Sequence, residues 1–118
     1  EASAARKESS NLMVPRIGVR FRLPKSMRNV MYFGKGPDEN YIDRASGSKV
    51  GLYTTTAADM YVPYTRPQAN GHRTDTRWVA LTENKGGLLI VADRTIGFNA
   101  LHNRFRFGRD NPSSISVE

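Results

Sequence analysis

Residues 77–92 read RWVALTENKGGLLIVA, two runs of strand-forming residues separated by a turn. The first run, RWVALT, contains aromatic and β-branched residues, and the second, LLIVA, is apolar throughout. The intervening ENKGG supplies asparagine and glycine, which turns favour because both residues tolerate unusual backbone angles. This pattern predicts two strands joined by a short turn.

Further short strands are predicted on both sides of this pair. Residues 15–23, PRIGVRFRL, alternate between apolar and other residues, as in a half-buried strand that begins with proline. Shorter strands are predicted at residues 29–33, 50–55, 95–101 and 104–108. Because no helical apolar stripe and no repeat accompany them, the sequence predicts an all-β, antiparallel sandwich or barrel.

The composition limits the size and class of the protein. A chain of 118 residues with 38% hydrophobic residues and a mean hydropathy of −0.56 forms at most one domain with a modest core. No apolar run approaches the roughly 20 residues of a membrane span. Residues 1–11 lack the apolar centre of a signal peptide. The absence of cysteine excludes disulfides and thiolate metal sites and leaves the compartment open.

The net charge of +7 raises the question of a nucleic-acid partner. The arginines alternate with apolar residues in VRFRL (residues 19–23) and RFRF (residues 104–107), which places them on the solvated face of a strand. The sequence offers no RNP-type aromatic motif and no KH-type loop. We therefore expect neither a nucleic-acid nor a membrane partner.

The glycine-rich, acidic stretch GKGPDENYIDR, residues 34–44, is the first candidate site. Its carboxylates would repel a phosphate, and no helix follows to supply amide donors, so a phosphate-binding loop is excluded. Asp38, Glu39 and Asp43 do not have the spacing of an EF-hand calcium loop. We expect no metal site and no cofactor in this chain.

Two carboxylates on one loop also suggest glycoside hydrolysis. Glu39 and Asp43 fit the separation that this chemistry needs, but nothing near them in the sequence is suited to raising the pKa of either carboxyl. His72 and His102 belong to no metal-binding pattern such as HExxH. We expect no catalytic residue here.

The second candidate site lies in residues 61–81, where aromatic rings alternate with planar hydrogen-bonding groups. Such a mixture suits a sugar, because a ring face packs on its C–H groups while amides and guanidinium groups bind its hydroxyls. The candidate carbohydrate contacts are Tyr64, Asn70, Arg73 and Trp78. A purely structural role, with the aromatic rings in the core and Asn70 in a turn, is equally compatible with the composition.

Four motifs resemble a known family. PRIG (residues 15–18), GKGPDENYIDR (34–44), DMYVPYTRPQANGHRTDTRW (59–78) and GFNALH (97–102) resemble, in order and spacing, the C-terminal domain of bacterial β-galactosidases of glycoside hydrolase family 2. The departures are Ala69, where the family usually has glutamate, and the sequence that follows residue 102.

The resemblance implies a portion of a galactose-mutarotase-like β-sandwich, the last of several domains. The catalytic glutamates of such enzymes lie on a separate TIM barrel, so this chain is expected to be inactive alone and to help wall the galactoside pocket. The implied partners are the galactoside and the other domains, the implied metals of the parent enzyme are magnesium and sodium, and the implied compartment is the bacterial cytoplasm or periplasm. The alternative is a stand-alone carbohydrate-binding module.

The resemblance also gives the first candidate site a role, as a loop at the rim of the sugar pocket. Gly36 is expected to act as a hinge, and Glu39, paired with Arg44, to fix the geometry of the loop. The rim-loop residues are Gly34, Gly36, Glu39, Asn40, Tyr41 and Arg44.

The expected domain bounds are a polar lead at residues 1–14, the sandwich portion at 15–108 and a polar tail at 109–118. A partial sandwich leaves apolar faces uncovered, which proteins normally cover. We therefore expect a homo-oligomer.

Overall fold

The computed structural model describes residues 17–66 and 68–102 and the backbone of residues 114–117. This part of the chain contains strands and turns and no helix, so none of its segments is a helix able to cross a membrane. The strands are β1 (Phe21–Pro24), β2 (Asn29–Gly36), β3 (Lys49–Thr56), β4 (Arg73–Glu83), β5 (Gly86–Phe98), β6 (Ala100–Leu101) and β7 (Ser114–Val117). A four-stranded sheet has the order β3-β2-β4-β5 and a three-stranded sheet the order β1-β7-β6, all antiparallel. The all-β prediction is confirmed, as a β-sandwich portion.

The predicted strand pair of residues 77–92 is the β4–β5 hairpin. Trp78 pairs with Val91, and Glu83 pairs with Gly86 across the turn. Both strands are longer than predicted, because β4 begins at Arg73 and β5 continues to Phe98. The strand predicted at residues 95–101 is therefore the end of β5 followed by β6.

β2 extends further than the sequence predicts, through the first glycines of the candidate loop. Gly34 pairs with Gly51, and Gly36 pairs with Lys49, so the loop begins only at Pro37. The hinge prediction for Gly36 is wrong: the described glycines with positive φ are Gly71 and Gly86.

Close packing, not backbone freedom, explains the glycines at positions 34 and 36. A Cβ on Gly34 would lie 2.6 Å from Oγ1 and 2.8 Å from Cα of Thr76. A Cβ on Gly36 would contact the Tyr32 hydroxyl and lie 2.9 Å from the Tyr53 ring. Both contacts are shorter than van der Waals separations, so a side chain at either position must displace its neighbours.

The core lies on one face of the four-stranded sheet, called here the inner face. Tyr32 is central, with its ring 5.2 Å from the Phe98 ring and 5.5 Å from the Tyr53 ring. The turn after β3 closes this face with Ala57 and Met60. The buried hydrophobic residues are Val30, Tyr32, Ala57, Met60, Val79, Leu81, Phe98 and Ala100.

The N-terminal part departs from the prediction. Among the described residues of the strand predicted at 15–23, only those from Phe21 onward form a strand, which continues to Pro24, because β7 pairs with Phe21–Pro24. Ile17 and Val19 are exposed. β7 lies where the sequence predicts a polar tail, whereas the predicted lead at residues 1–14 and the predicted strand at 104–108 lie outside the described residues.

The substitution Gly34→Ala tests the close approach of β2 and β4. The added methyl group overlaps the Thr76 backbone, so we expect the free energy of unfolding, measured in urea, to fall by about 1–3 kcal/mol. Gly47→Ala is the matched control, since nothing lies within 4 Å of a Cβ there. Equal stability of the two variants would contradict this packing account.

Candidate functional site

The loop after β2 is attached to the segment before β4 through the side chain of Asn40, which is fully buried. Its Nδ2 donates to the carbonyl oxygens of Lys35 and Asp38, both at 3.0 Å. Its Oδ1 accepts from the Thr74 backbone N–H at 2.9 Å and from the Thr74 hydroxyl at 2.6 Å. The Asn40 backbone N–H donates to the His72 carbonyl at 2.8 Å. The buried amide is therefore saturated, and it holds the two segments in one arrangement.

Glu39, the residue before Asn40, also connects the loop after β2 to the segment before β4. Its Oε2 accepts from the Gly71 backbone N–H at 2.9 Å and from the Tyr41 hydroxyl at 3.3 Å. Gly71 has a φ of 66°, which favours glycine, and a Cβ there would lie 2.6 Å from the Met60 carbonyl oxygen. The Glu39 carboxylate thus connects the loop to the segment that contains Gly71.

Arg44 does not form the expected ion pair with Glu39 among the described residues. Its guanidinium carbon lies 4.6 Å from the centre of the Tyr41 ring. Tyr41 and Arg44 also form an isolated antiparallel bridge around the turn residues Ile42 and Asp43, with backbone bonds of 3.0 and 3.3 Å. This short hairpin places the Arg44 side chain beside its bridge partner, so a cation–π contact replaces the ion pair.

An open cleft of about 430 Å³ lies between this hairpin and the beginning of β4. One of its elements is a stacked pair of rings, Tyr41 and His72, with centroids 5.4 Å apart and planes inclined by 17°. The cleft combines rings, hydroxyls and carboxylates, the groups that bind sugars elsewhere. Its lining residues are Tyr41, Ile42, Asp43, His72, Thr74, Asp75, Thr95, Ile96 and Gly97.

The carboxylate of Asp75 is held in its ionised form. Its Oδ2 lies 2.7 Å from Lys35 Nζ, and this hydrogen bond lowers the pKa of Asp75, with further help from the Lys35 and Arg77 charges. Burial, followed by the nearby Glu39 charge, raises the pKa of the Tyr41 hydroxyl. At neutral pH the cleft therefore presents an ionised acceptor and a protonated phenol.

The four candidate carbohydrate contacts occupy different environments. The Asn70 amide is hydrogen-bonded to both the N–H and the C=O of Val62. Arg73 is buried and donates to the Tyr32 hydroxyl at 3.1 Å and to the Gly71 carbonyl at 3.1 Å. Both side chains thus serve the fold through their described bonds.

Tyr64 and Trp78 lie apart from this arginine. Tyr64 is half-buried in the segment between β3 and β4. Trp78 pairs with Phe33 and lies on the face of the sheet opposite to the buried Val79 and Arg73. The structure therefore places Arg73 and Trp78 on opposite faces of the sheet, and a role of the four residues in sugar binding stays a prediction.

Of the residues that line the cleft, only Tyr41 is among the predicted site residues, and those that sequence reasoning missed include His72 and Thr74. His72 looks like a turn residue because it follows Asn70-Gly71, and only the fold brings it onto Tyr41. The position of Thr74 at the start of a strand could have indicated its role, because a threonine there commonly forms a hydrogen bond with a neighbouring polar group.

The described residues contain no group of three or more histidine, cysteine, aspartate or glutamate side chains arranged to hold a metal ion.

The substitution Asn40→Ala tests the attachment of the loop. It leaves two carbonyl groups and the Thr74 N–H without their partner in a buried site, so we expect the free energy of unfolding to fall by about 3 kcal/mol. Asn29→Ala, at an exposed position of β2, is the matched control, and we expect a change within about 0.5 kcal/mol. Urea denaturation measures both, and a small loss for Asn40→Ala would show that water replaces the amide.

Comparison with known proteins finds β-galactosidases. The chain is 38% identical over 89 residues to a β-galactosidase of Priestia megaterium, which covers 75% of this chain and 9% of that protein. It is 45% identical over 78 residues to one of Vibrio cholerae (66% and 7%) and 47% identical over 62 residues to one of Lactococcus lactis (52% and 6%). The chain spans less than a tenth of the length of these curated relatives.

A family model described as β-galactosidase small chain matches residues 2–107. The match includes the hairpin of Tyr41 and Arg44, the buried Asn40 and all of the cleft, so the geometry described above lies within the family's own segment. The chain belongs to the β-galactosidase small-chain family.

Proposed function

We propose that this chain is a non-catalytic part of a β-galactosidase and that its cleft forms one wall of the galactoside pocket. The observation that carries the proposal is the cleft itself, in which the Tyr41–His72 ring pair lies beside hydroxyls and carboxylates. Family membership supports the galactoside as the ligand, and the small share of the relatives that the chain spans supports a contributing role.

The cleft is suited to orienting a sugar because its walls are held before any ligand arrives. Asn40 and Glu39 fix the loop, and Arg44 lies over the Tyr41 ring. Asp43, at the turn of the hairpin, and Thr95, on β5, face the same cleft and offer an acceptor and a hydroxyl to sugar hydroxyls. A preorganised wall lowers the cost of binding, since little loop entropy is lost.

The non-catalytic part of the proposal rests on how the carboxylates are used. Glycoside hydrolysis requires one carboxyl with a raised pKa to act as the acid and a second as nucleophile or base. The pKa of Asp75 is lowered by Lys35, and Glu39 accepts bonds from Gly71 and Tyr41. The family resemblance supports catalytic glutamates on a separate TIM barrel and a galactose-mutarotase-like fold for the sandwich.

The first test is hydrolysis of a nitrophenyl galactoside by the 118-residue chain. We expect no turnover, because Glu39 accepts bonds from Gly71 and Tyr41 and Asp75 is paired with Lys35, so neither carboxyl is arranged to act as the acid of a glycosidase pair. Saturable turnover that Glu39→Gln abolishes would overturn the non-catalytic assignment.

The second test places the cleft in a complete enzyme, by substituting the matching segment of the Priestia megaterium β-galactosidase with the aligned residues of this chain. In this chimera we expect Asp43→Ala to raise KM for the galactoside about fivefold and to leave kcat within about twofold, since a wall contributes mainly uniform binding. Asp93→Ala, an exposed aspartate of β5 outside the cleft, is the matched control. An unchanged KM for Asp43→Ala, or an equal change in the control, would count against the wall.

A further inference from the structure

Asn70 and Gly71 form the only Asn-Gly pair in the sequence. Such a pair is chemically labile, because the backbone nitrogen of the second residue can attack the side-chain amide of the first, and glycine has no Cβ to hinder this approach. The pair directly precedes His72, one of the residues that line the cleft. A reaction here therefore alters the segment on which the candidate site is built.

The reaction is deamidation. Gly71 N, after losing its proton to a base, bonds to Cγ of Asn70, the bond from Cγ to Nδ2 breaks, and the departing nitrogen takes up a proton and leaves as ammonia. One water molecule then opens the resulting cyclic imide and leaves either aspartate or isoaspartate at position 70. Each deamidation consumes one water and releases one ammonia, and no oxidant or cofactor takes part.

The attacking nitrogen is held by Glu39. The Gly71 N–H donates to Oε2 of Glu39 at 2.9 Å, and a carboxylate in that place stabilises the protonated N–H and opposes the loss of its proton. Gly71 is buried and has a φ of 66°, and a Cβ there would lie 2.6 Å from the Met60 carbonyl oxygen. The nitrogen therefore has little room to move toward the Asn70 side chain.

The amide under attack is held by Val62. Oδ1 of Asn70 accepts from the Val62 N–H at 2.8 Å, and Nδ2 donates to the Val62 carbonyl oxygen. The Asn70 carbonyl oxygen in turn accepts from Nδ2 of Asn99 at 3.4 Å. Because both ends of the planar amide are bonded to one residue, Cγ cannot turn toward the Gly71 nitrogen without breaking both bonds.

We propose that Asn70 is a deamidation site which the fold keeps unreactive, and that it reacts only when the contacts with Glu39 and Val62 open. The rate then equals the rate of an unfolded Asn-Gly pair multiplied by the fraction of molecules in the open state. The proposal concerns the chemistry of the chain itself and does not depend on the proposed function.

Deamidation would also weaken the fold around the cleft. An aspartate at position 70 has no donor for the Val62 carbonyl, so two acceptors face each other where a hydrogen bond was. Asn70→Asp reproduces this product, and we expect it to lower the melting temperature by about 5 °C. Asn84→Asp, at an exposed turn position, is the matched control, with an expected change within about 1 °C. Equal shifts in the two variants would overturn this consequence.

The protection is tested against an internal standard in the same chain. Lys85→Gly turns the exposed Asn84 into a second Asn-Gly pair, in a hairpin turn that favours this dipeptide. After incubation at mildly alkaline pH, mass spectrometry of the peptides gives the deamidation rate at each asparagine. We expect Asn70 to react at least about tenfold more slowly than Asn84 in the folded chain, and both to react at similar rates in concentrated urea.

Glu39→Ala, added to Lys85→Gly, tests the contact that holds the nitrogen. Removing a hydrogen bond to a charged group favours opening, so we expect deamidation of Asn70 to accelerate about tenfold or more while Asn84 is unchanged. Glu39→Gln retains an acceptor for the Gly71 N–H, and we expect a smaller acceleration. Slower deamidation in Glu39→Gln would identify the carboxylate as the base of the reaction and would overturn its protective role. The circular dichroism spectrum checks that each variant is folded.

Hydrogen exchange of the Gly71 amide is a second measurement and requires no substitution at the site. Opening exposes this N–H to water, and deamidation requires the Val62 bonds to break as well. We therefore expect the fold to slow deamidation of Asn70 at least as much as it slows exchange of the Gly71 amide. An unprotected Gly71 amide, or equal deamidation rates at Asn70 and Asn84 in the folded chain, would overturn the proposal.

Discussion

The buried amide of Asn40 is the interaction on which the cleft depends. A side-chain amide has two donors and an acceptor with two lone pairs, and here Asn40 uses all of them on Lys35, Asp38 and Thr74. Because an unsatisfied buried polar group costs about 1–3 kcal/mol, these partners permit one loop arrangement. The Tyr41–His72 stack and the cleft beside it follow from that arrangement.

Other polar side chains near the cleft are also hydrogen-bonded to backbone groups, and this limits the chemistry that they can perform. Polar side chains in and around the cleft are engaged in holding backbone: Glu39 holds Gly71, Asn70 holds Val62, and Arg73 holds the carbonyl of Gly71. Groups fixed in this way orient a ligand well, but they are poorly suited to exchanging protons during a reaction. These bonds are consistent with the proposed role of the chain as a wall of the galactoside pocket.

The sequence predicts strands well where two runs of strand-forming residues flank a clear turn, and less well at the alternating residues 15–23. The β4–β5 hairpin follows from RWVALT, LLIVA and the turn between them, whereas the role expected of Glu39 comes from the family resemblance. The hinge at Gly36 was wrong because sequence cannot distinguish a glycine needed for φ from one needed for space, and here Tyr32 and Tyr53 occupy that space.

Contacts between distant segments could not be predicted at all. His72 reaches Tyr41 only because the hairpin at residues 41–44 folds onto the segment before β4. Arg44 lies over the Tyr41 ring rather than beside Glu39 because the local bridge places Tyr41 and Arg44 next to each other. β7 escaped prediction because its four residues, SISV, are too few to show a clear alternation.

The register of β2 connects the cleft with the face of the four-stranded sheet that is turned away from the core. Side chains alternate along a strand, so a shift of one residue would exchange the two faces. Val30, Tyr32 and the two glycines face inward, whereas Met31 and Phe33 face outward. A shifted strand would bring Phe33 into the place of Gly34, where even a methyl group overlaps Thr76. The glycines therefore fix the register of β2, which turns Met31 and Phe33 to the exposed face of the sheet. The packing that positions the loop thus also determines which side chains this face presents.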